Sequence, residues 1–493
     1  MAVSRRRPQG RRPRYRGRVA RLWARFSAGT RILVSYLALA AVIALVVGVG
    51  VVLQPTYGSL TPYGGTRVDD VRSGPRTSRW AADLAGTLAP GAPAECVRFT
   101  AVDLGRDLAV VRADTGYNFA AATDPACTSA PTAFRSRIAL FNTAVGVFRW
   151  THDVSGDVPP ASGQPRSRSA TVDSLSVVDG GTRILVHAVA SDRSVAETLS
   201  ADTGDIVQTT GGLPWNDQDR FEASGKVVAM GHLSTDYLSY EYDLRDVDDL
   251  GRVVWSGTGN PSATMIALSD RLLLGDEKTE QVLVSTGAVS AWGPSVDTTL
   301  GYAVNDDIVY AAKVTGSGVT TKPGRGFVAV DKTGKELWSS SMTLRGSYSM
   351  TRSCLAVTDY SDDHLTCLDY RTGKALWTDQ VGAFTSAGSA SGQRSDDVYA
   401  VSATDSSAVT AIDGRTGAIR FRTPVPAGAS VSAAGQTVGY ALAYGISGSR
   451  SSVIAFDLSS GKRLWTHAAQ QQVQVWGGHL IDIGVDGAAR RIG

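Results

Sequence analysis

The chain has 493 residues, of which 43% are hydrophobic, and a formal net charge of +3. The charge is unevenly distributed, because residues 1–31 contain eleven arginines and no acidic residue. The remainder has 38 basic and 46 acidic side chains, a formal charge of −8, which argues against a nucleic-acid partner for that part of the chain.

Residues 1–31 are rich in Arg, Pro and Gly, and we expect them to be a disordered cytoplasmic tail. Residues 32–53 follow as a run of 22 residues without a charge. As a helix this run would span about 33 Å, which is enough to cross the hydrocarbon core of a bilayer. Arginines before the run, and no basic cluster after it, predict that the N-terminus lies inside the cell and the rest outside.

A cleaved signal peptide is the alternative interpretation of residues 32–53. The apolar run is long for a signal peptide, however, and no small-x-small cleavage site follows it. We therefore expect a single-pass protein of the cell membrane, whose basic tail contacts anionic lipid. Residues 54–79, rich in Pro, Gly, Ser and Thr, are predicted to be a linker, and residues 80–493 an extracytoplasmic folded domain.

A hairpin unit recurs through this domain, and residues 327–338 are its clearest copy. Two short apolar strands flank a turn in which Asp331 can accept hydrogen bonds from backbone amides and Gly334 can supply a positive φ. The second strand ends in Trp338, whose ring can bury about 150–250 Å². Because one hairpin cannot cover that ring alone, we expect a stacked neighbour to cover it.

The spacing of these units predicts the fold. Their ends have a mean spacing of 45 residues and lie at Trp150, Val207, Trp255, Trp292, Trp338, Trp377, Phe421 and Trp465. Each interval holds two further strand-like runs before its hairpin. Four short strands in about 45 residues are typical of one blade of a β-propeller.

The two ends of the domain are predicted to complete each other. Residues 473–476, 479–483 and 488–492 are strand-like but lack a following hairpin, whereas residues 80–84 resemble an outer strand without partners. Pairing them would close the ring and remove its exposed edges. We predict an all-β propeller of about eight four-stranded blades, with seven or nine as alternatives, preceded by one transmembrane helix.

The pattern Ala-x-Asp-x-x-Thr-Gly-Lys-x-x-Trp resembles the repeat of the pyrroloquinoline-quinone-like (PQQ-like) propellers, the quinoprotein dehydrogenase-like family. Residues 367–377 match it at every position but the first, residues 329–338 match with one deletion, and residues 455–465 match with Ser for Thr. The resemblance extends roughly from Glu95 to the C-terminus. It implies a blade-docking role for the aromatic residues Trp150, Trp255, Trp292, Trp338, Trp377, Phe421 and Trp465, which agrees with the need to bury them.

Four cysteines, Cys96, Cys127, Cys354 and Cys367, all lie in the predicted extracytoplasmic part, where an even number favours two disulfides. Cys354 and Cys367 lie on consecutive predicted strands joined by a turn near residues 360–363, so they are expected to face each other across a hairpin. That pairing would leave Cys96 to pair with Cys127. Four free thiols in a reducing compartment are the alternative.

Motifs that carry chemistry are scarce. The sequence has no nucleophile elbow, Walker loop or haem-attachment motif, and its six histidines show no metal-ligand spacing. An oxygen-rich loop could bind Ca²⁺, although an exposed turn is the commoner explanation of its aspartates Asp243, Asp246, Asp248 and Asp249. Strand packing, with a sugar-stacking platform as the alternative, explains the alternation of Tyr237, Tyr240 and Tyr242.

The resemblance also bears on the cofactor. Quinone-dependent dehydrogenases of this fold hold the quinone against a disulfide between two adjacent cysteines, with a Ca²⁺ ion bound by acid and amide side chains. This chain has no adjacent cysteine pair and no matching ligand set. We therefore expect no cofactor, with PQQ and Ca²⁺ as the alternative. The expected function is binding or scaffolding of an envelope protein, cell-wall polymer or small ligand. The alternative functions are a PQQ-dependent oxidoreductase with a divergent cofactor site and a ligand sensor.

Overall fold

The computed structural model divides the chain into two compact units, residues 1–59 and 60–493. It describes Tyr36 and residues 66–493 except for 76–79, 116–135, 155–156, 159–169, 191, 217, 235–236, 260–263, 276–277, 314–325, 343, 352–353, 360–363, 380–383, 389, 391, 394, 403–405, 444–450 and 470. The predictions for the tail, for the membrane helix and for residues 54–65 fall outside this range, Tyr36 excepted. No helix among the described residues is long and apolar enough to cross a bilayer.

The described residues form nine antiparallel sheets, each with strands in up-and-down order, which we number as blades 1 to 9. The first elements of the second unit are β1 (Ala81–Asp83), the helix α1 (Leu84–Leu88) and a 3-10 turn (Ala94–Cys96). Blade 1 contains β2 (Val97–Gly105), β3 (Leu108–Thr115), β4 (Arg137–Asn142) and β5 (Val147–Asp153). Blade 2 contains β6 (Thr171–Val178), a 3-10 turn (Asp179–Gly181), β7 (Arg183–Ala190), β8 (Arg193–Ser200), β9 (Ile206–Thr209) and β10 (Leu213–Pro214).

The next four blades have four strands each. Blade 3 contains β11 (Arg220–Ser224), β12 (Val227–Leu233), β13 (Tyr240–Asp246) and β14 (Asp249–Gly259). Blade 4 contains β15 (Thr264–Ala267), β16 (Arg271–Gly275), β17 (Thr279–Leu283) and β18 (Val289–Ala291). Blade 5 contains β19 (Val296–Asn305), β20 (Ile308–Lys313), β21 (Phe327–Val330) and β22 (Glu336–Ser340). Blade 6 contains β23 (Leu344–Met350), β24 (Cys354–Asp359), β25 (Leu365–Asp369) and β26 (Ala375–Thr378).

The last three blades complete the ring. Blade 7 contains β27 (Phe384–Gly388), β28 (Asp397–Ser402), β29 (Ala408–Asp413) and β30 (Ile419–Pro424). Blade 8 contains β31 (Ser430–Ala434), β32 (Val438–Ala443), β33 (Ser452–Asp457) and β34 (Arg463–Ala468). Blade 9 contains β35 (Gln472–Trp476), β36 (His479–Ile483) and β37 (Ala488–Arg491), together with β1.

The predicted number of eight blades is wrong, because the described residues form nine. Every one of the eight hairpin units forms its own blade, and the first and last strands of the second unit add the ninth. The prediction discounted one weak unit. Blade 2, whose hairpin ends in Val207 without a Trp, is nevertheless a complete blade with two strands, β9 and β10, paired to β8.

The ring is closed by β1, as predicted from the two chain ends. This strand pairs antiparallel with β37, with Ala82 opposite Ala489. Both residues are buried, in a cluster that also contains Phe99 of blade 1 and Trp476 of blade 9. The N-terminal strand therefore becomes the outer strand of the last blade, and this pairing covers the edge of β37.

Burial within a blade follows from its place in the ring. The second and third strands pack against blades on both faces, so their sequences are continuously apolar. All six residues of β32 and all four of β21 are buried. Outer strands are less buried, as in β34, where the buried Trp465 lies between the half-buried Leu464 and the exposed Thr466.

The blades pack against one another all round the ring. The first strands of blades 1 to 8 contact in succession, and the first strand of blade 9 contacts that of blade 1. Blades 8 and 9 share an apolar cluster that includes Tyr440 and Leu480. The core is therefore a series of interblade seams with no single centre.

Residues 66–75, which the sequence analysis assigns to the linker, lie against blades 8 and 9. Val68 is fully buried, and the Asp69 carboxylate accepts hydrogen bonds from His479 Nδ1 at 2.8 Å and Arg491 Nη2 at 3.0 Å. The Tyr440 hydroxyl accepts a 2.7 Å bond from the backbone N–H of Val71. We call residues 66–75 the closing segment, since it packs where the first and last strands of the second unit meet.

The two ends of the blades differ in their connections. At one end, the turn face, short turns join the first strand to the second and the third to the fourth, as at residues 143–146 between β4 and β5. At the other end, the loop face, lie the connections between blades and between second and third strands. Several of these are long in sequence, such as residues 116–136 and 314–326. Long connections carried by a rigid scaffold are where binding sites of propellers are usually built.

Candidate functional site

The hairpin turn has the predicted hydrogen bonds. In blade 5, Asp331 Oδ1 accepts hydrogen bonds from the backbone N–H groups of Thr333 at 2.9 Å and Lys335 at 3.1 Å. Gly334 then adopts a φ of 88°, which a residue with a side chain rarely adopts. The same carboxylate-to-amide bonds recur at Asp369, Asp413 and Asp457.

The outer-strand aromatic residues lie on the turns of the next blade. Trp377 Nε1 donates to the carbonyl of Gly414 in blade 7 at 3.0 Å, and a Cβ at Gly417 would lie 2.7 Å from its ring. Equivalent hydrogen bonds at 2.9, 3.0 and 2.6 Å run from Trp150 to Ala201, from Trp292 to Lys332 and from Trp338 to Tyr370. Phe421 has no N–H group, but its ring covers Gly461 in the same way.

Three seams depart from this pattern. Trp255 contacts its neighbour less closely, since a Cβ at Gly287 would lie 3.6 Å from the Trp255 Cβ. Val207, at the corresponding place in blade 2, is 45% exposed. Trp465 Nε1 donates at 2.7 Å to the carbonyl of Val71, so the closing segment takes the place of a turn in blade 9.

Trp80 occupies the docking position of the ninth blade, which the sequence analysis did not assign. It precedes β1, and its ring lies over Gly146 in the β4–β5 turn of blade 1. It also packs edge-on against Phe141, with ring centroids 5.3 Å apart. Its position as the first residue of the predicted outer strand was the signal available in the sequence. The docking role of all these residues stays a prediction for mutation to test.

One of the two predicted disulfides is present in the structure. Cys354 on β24 and Cys367 on β25 are bonded, with Cα atoms 5.5 Å apart and both residues fully buried. They pack against Val398 and Ile412 of blade 7. The bridge therefore lies within the seam between blades 6 and 7. Cys96 is also disulfide-bonded, and Cys127 lies outside the described residues.

The four aspartates of the candidate Ca²⁺ loop have separate partners. Asp248 pairs with Arg183 at 2.7 Å and Lys226 at 3.0 Å. Asp249 pairs with Arg252, Asp243 with Arg245, and Asp246 accepts a bond from the backbone N–H of Asp248. These contacts hold the carboxylates apart, since Asp246, Asp248 and Asp249 lie at the β13–β14 turn whereas Asp243 lies within β13.

The three tyrosines are divided between core and surface. Tyr240 and Tyr242 are buried on β13, and their rings stack with centroids 5.8 Å apart. Tyr237 lies before the strand and is 67% exposed. The two buried rings pack within the blade, which is the first of the two interpretations drawn from the sequence.

Histidine–carboxylate pairs are the contacts that the sequence could not reveal. Five pairs are seen among the described residues, and these pairs are His152–Asp157, His187–Asp173, His232–Asp219, His467–Asp482 and His479–Asp69. The partners of His479 lie more than 370 residues away in the chain. Only the closed ring brings the His479 pairs together, so spacing along the sequence carries no signal for them.

Two of these histidines flank a cavity on the loop face of blade 3, which we call the blade 3 pocket. Its volume is about 170 Å³. It is lined by Leu213, Pro214, Trp215, Asp219, Met230, Gly231, His232, Glu241 and Asp243. The residues come from β10 and the chain after it, from the end of β12 and from β13, which all meet at this end of the blade.

Hydrogen bonds fix the polar side of the blade 3 pocket. Asp219 Oδ2 lies 2.6 Å from His232 Nδ1 and accepts a bond from the backbone N–H of Asn216, while Oδ1 accepts one from Leu233. The Asp219 side chain is only 1% exposed. Glu241 has no cationic partner among the described residues, so the pocket carries uncompensated negative charge.

An aromatic stack supports the pocket from behind. The His187 ring is stacked on Phe221, with centroids 4.2 Å apart, and meets Trp215 edge-on at 4.5 Å. Burial lowers the pKa of His187, although its hydrogen bond with Asp173 opposes this effect. A neutral imidazole at pH 7 therefore holds the indole of Trp215 in place.

A second cavity, of about 450 Å³, lies on the turn face between blades 7 and 8. Its main charges neutralise one another, since Arg420 pairs with Asp397 and Arg72 with Asp457, each at 2.7 Å. It therefore offers less net charge to a ligand than the blade 3 pocket does.

Comparison with known proteins gives a family match over part of the chain. Residues 361–483, from the β24–β25 connection in blade 6 to the end of β36, match the family model described as outer membrane protein assembly factor BamB. No curated protein matches the chain in sequence.

Two solved structures illustrate the structural similarity. BamB from Moraxella catarrhalis is 13% identical, with a TM-score of 0.37, over 73% of this chain and 93% of that one. Quinohemoprotein alcohol dehydrogenase from Comamonas testosteroni is 12% identical, with a TM-score of 0.39, over 85% of this chain and 74% of that one. At these values the likenesses carry no conclusion about function. The strand pairing and the family match together confirm the predicted resemblance of this chain to the PQQ-like repeat propellers.

Proposed function

We propose that this protein is a binding or scaffolding propeller of the bacterial envelope, held at the membrane by residues 32–53 and working without a bound quinone. The blade 3 pocket is the observation that carries the proposal. It is a preformed, negatively charged concavity on the loop face of a rigid ring. Its partner is an envelope protein that presents a basic side chain. This partner accords with the BamB description of the family model that matches residues 361–483.

The chemistry of the pocket favours binding over catalysis. The described residues that line it contribute an indole, an imidazole and three carboxylates, with no hydroxyl, thiol or amine to act as a nucleophile. The His232 imidazole is already held by Asp219 at 2.6 Å. Such a site can orient a ligand but offers no covalent chemistry of its own.

Size and charge indicate what the pocket accepts. Its volume of about 170 Å³ is below the roughly 300–1,000 Å³ of sites for cofactor-sized ligands, so it suits a single side chain. The Glu241 carboxylate favours a cation, and the face of Trp215 can stack on a guanidinium group. An Arg side chain on a partner protein satisfies all three features.

Titration of the full-length protein in detergent with N-acetyl-arginine amide, and with a matched Arg-containing tetrapeptide, tests this function. We expect saturable binding that weakens with salt. Glu241→Gln should weaken it about five- to tenfold, which corresponds to about 1–1.4 kcal/mol. Glu280→Gln is the matched control, because Glu280 is an exposed residue on the third strand of the neighbouring blade. No saturable binding, or an equal effect of both substitutions, would contradict the proposal.

A further inference from the structure

His152, Asp157 and Glu197 meet at the seam between blades 1 and 2, away from the blade 3 pocket. His152 lies on the outer strand of blade 1, Asp157 follows five residues later, and Glu197 lies on the third strand of blade 2. His152 Nε2 is 2.6 Å from Asp157 Oδ2 and 3.9 Å from Glu197 Oε2. One ligand atom from each of the three residues lies within 4.8 Å of the other two.

The two carboxylates of the cluster carry more negative charge than one protonated imidazole can neutralise. Two carboxylates face one imidazole, so a net charge of −1 remains when His152 is protonated and both carboxylates are ionised. Glu197 is 4% exposed, and burial together with the charge of Asp157 raises its pKa. A partly buried negative charge of this kind is unfavourable without a cation.

Surrounding contacts orient the ligand atoms. Thr209 Oγ1 donates to Glu197 Oε1 at 3.2 Å, which leaves Oε2 directed at His152. The chain after β5 is fixed by a backbone bond from Asp157 N–H to the carbonyl of Val154, a buried residue. Hydrogen bonds that orient ligands in this way are a feature of metal sites.

The chain contains its own comparison site. His467 follows Trp465 by two residues on the outer strand of blade 8, just as His152 follows Trp150 in blade 1. Among the described residues its Nε2 contacts one carboxylate, that of Asp482, at 2.8 Å. One carboxylate is enough for an ordinary histidine pair, so the second carboxylate at His152 calls for another explanation.

We propose that His152, Asp157 and Glu197 form a binding site for a first-row divalent transition metal, with Zn²⁺ as the best fit to one imidazole and two carboxylates. Ligand bonds of about 2.0–2.2 Å would place tetrahedral ligand atoms roughly 3.4 Å apart. Asp157 must therefore move away from His152 by about 0.8 Å and Glu197 approach by about 0.5 Å, relative to the observed 2.6 and 3.9 Å. The bound ion links blades 1 and 2, and water completes its coordination.

Calorimetric titration with Zn²⁺ alone tests the site. The protein is the full-length, tag-free chain in detergent, treated with a chelator and then freed of it by dialysis. We expect one equivalent to bind, with release of about one proton at pH 7 and a rise in melting temperature. Apparent affinity should fall about tenfold per pH unit from pH 8 to pH 6, because protons compete with the metal for the imidazole.

Three variants locate the binding. His152→Asn and Glu197→Gln should abolish it, whereas His467→Asn, the matched control, should retain it. The proposal is overturned by a lack of saturable Zn²⁺ binding, by binding that persists in His152→Asn, or by loss of binding in His467→Asn. Should the seam variants fail to fold, X-ray absorption of the Zn²⁺-loaded wild type decides. A shell of imidazole nitrogen and oxygen is expected, and a shell with sulfur or without imidazole would overturn the site.

Discussion

The turn glycine of one blade and the aromatic ring of the previous blade form a single contact. Gly417 has a φ of 72° and lies under the ring of Trp377, so it is fixed both by backbone conformation and by lack of space. The ring gains a hydrogen bond to Gly414 that a bulkier turn would misplace. The sequence repeats this pair of turn glycine and aromatic residue because the ring fits only over a glycine, and the turn is covered only by the ring.

Gly417→Ala should separate these two effects when it is compared with Gly428→Ala. Gly428 has a similar φ of 78°, but nothing lies within 4 Å of its added Cβ. We expect a loss of about 1 kcal/mol in the free energy of unfolding for Gly428→Ala, from backbone strain alone. For Gly417→Ala we expect about 3 kcal/mol, because the methyl group also displaces the Trp377 ring.

Urea denaturation followed by tryptophan fluorescence measures both losses. In a Trp377→Ala background, the cost of Gly417→Ala should fall to that of Gly428→Ala, since the ring is gone. Equal losses for the two substitutions in the wild-type background would show that the ring does not constrain the turn.

The His152 cluster should make stability depend on pH when no metal is present. Burial alone would lower the pKa of His152, but hydrogen bonds to Asp157 and Glu197 and their charges raise it to about 9. A pKa raised above the unfolded value of about 6.5 means that the stabilisation is fully present below pH 6.5. It is lost as the pH rises to about 9.

We expect this loss to be on the order of 1–2 kcal/mol in chelator-treated wild-type protein. The measurement is the difference in unfolding free energy between wild type and His152→Asn from pH 6 to pH 9.5. A difference that does not change with pH would refute the assignment of a protonated His152.

At the scale of elements, the ring depends on two segments from the start of the second unit. The strand β1 supplies the outer edge of blade 9, and the closing segment supplies the acceptor for Trp465. Both lie more than 370 residues from their partners, so they form only when the whole domain has folded. The closure of the ring by β1 can be tested with a single substitution beside that strand.

Trp80→Ala should weaken closure by removing the ring that covers Gly146. We expect a loss of about 3–4 kcal/mol, as for other large aromatic residues deleted from packed sites. Limited proteolysis should then cut first near β1, before any other blade is attacked. Trp255→Ala is the control, because its contact with the next blade is looser and its loss should be smaller. Equal losses, or first cleavage elsewhere, would contradict the closing role of Trp80.

The disulfide in blade 6 is the second element that can be tested. Cys354 and Cys367 are 13 residues apart, and a loop of this length predicts about 3 kcal/mol of stabilisation. Cys354→Ala with Cys367→Ala should lower the free energy of unfolding by about that amount. Alkylation of denatured, unreduced wild-type protein should modify neither thiol, and modification of both would show that the bridge does not form in the cell.

At the scale of the whole molecule, the ring could be predicted because its unit is local. Asp331, Gly334 and Trp338 lie within eight residues of one another. One short stretch therefore predicts both the hairpin and the neighbouring blade that must cover its Trp. The blade 2 unit gives a weaker signal than the others, since its hairpin ends in Val207 without a Trp. The packing of residues 66–75 was missed because its Pro, Gly and Ser content resembles that of a linker.

The candidate sites could not be predicted for a related reason. Asp219 and His232 lie opposite each other at the open end of the β11–β12 hairpin, and His152 and Glu197 belong to different blades. These contacts depend on how strands register and how blades stack, which no local pattern encodes. The membrane anchor and the acidic charge of the remaining chain, by contrast, are read directly from composition and stay predictions.

The central claim is that this propeller binds partners without a quinone, and calorimetry of the full-length protein with pyrroloquinoline quinone tests it most directly. Ca²⁺ is present at equal concentration in the cell and the syringe, so that only quinone binding produces heat. We predict no saturable heat and no rise in melting temperature. Saturable binding at micromolar concentration or tighter would contradict the account and favour a PQQ-dependent oxidoreductase with a divergent site.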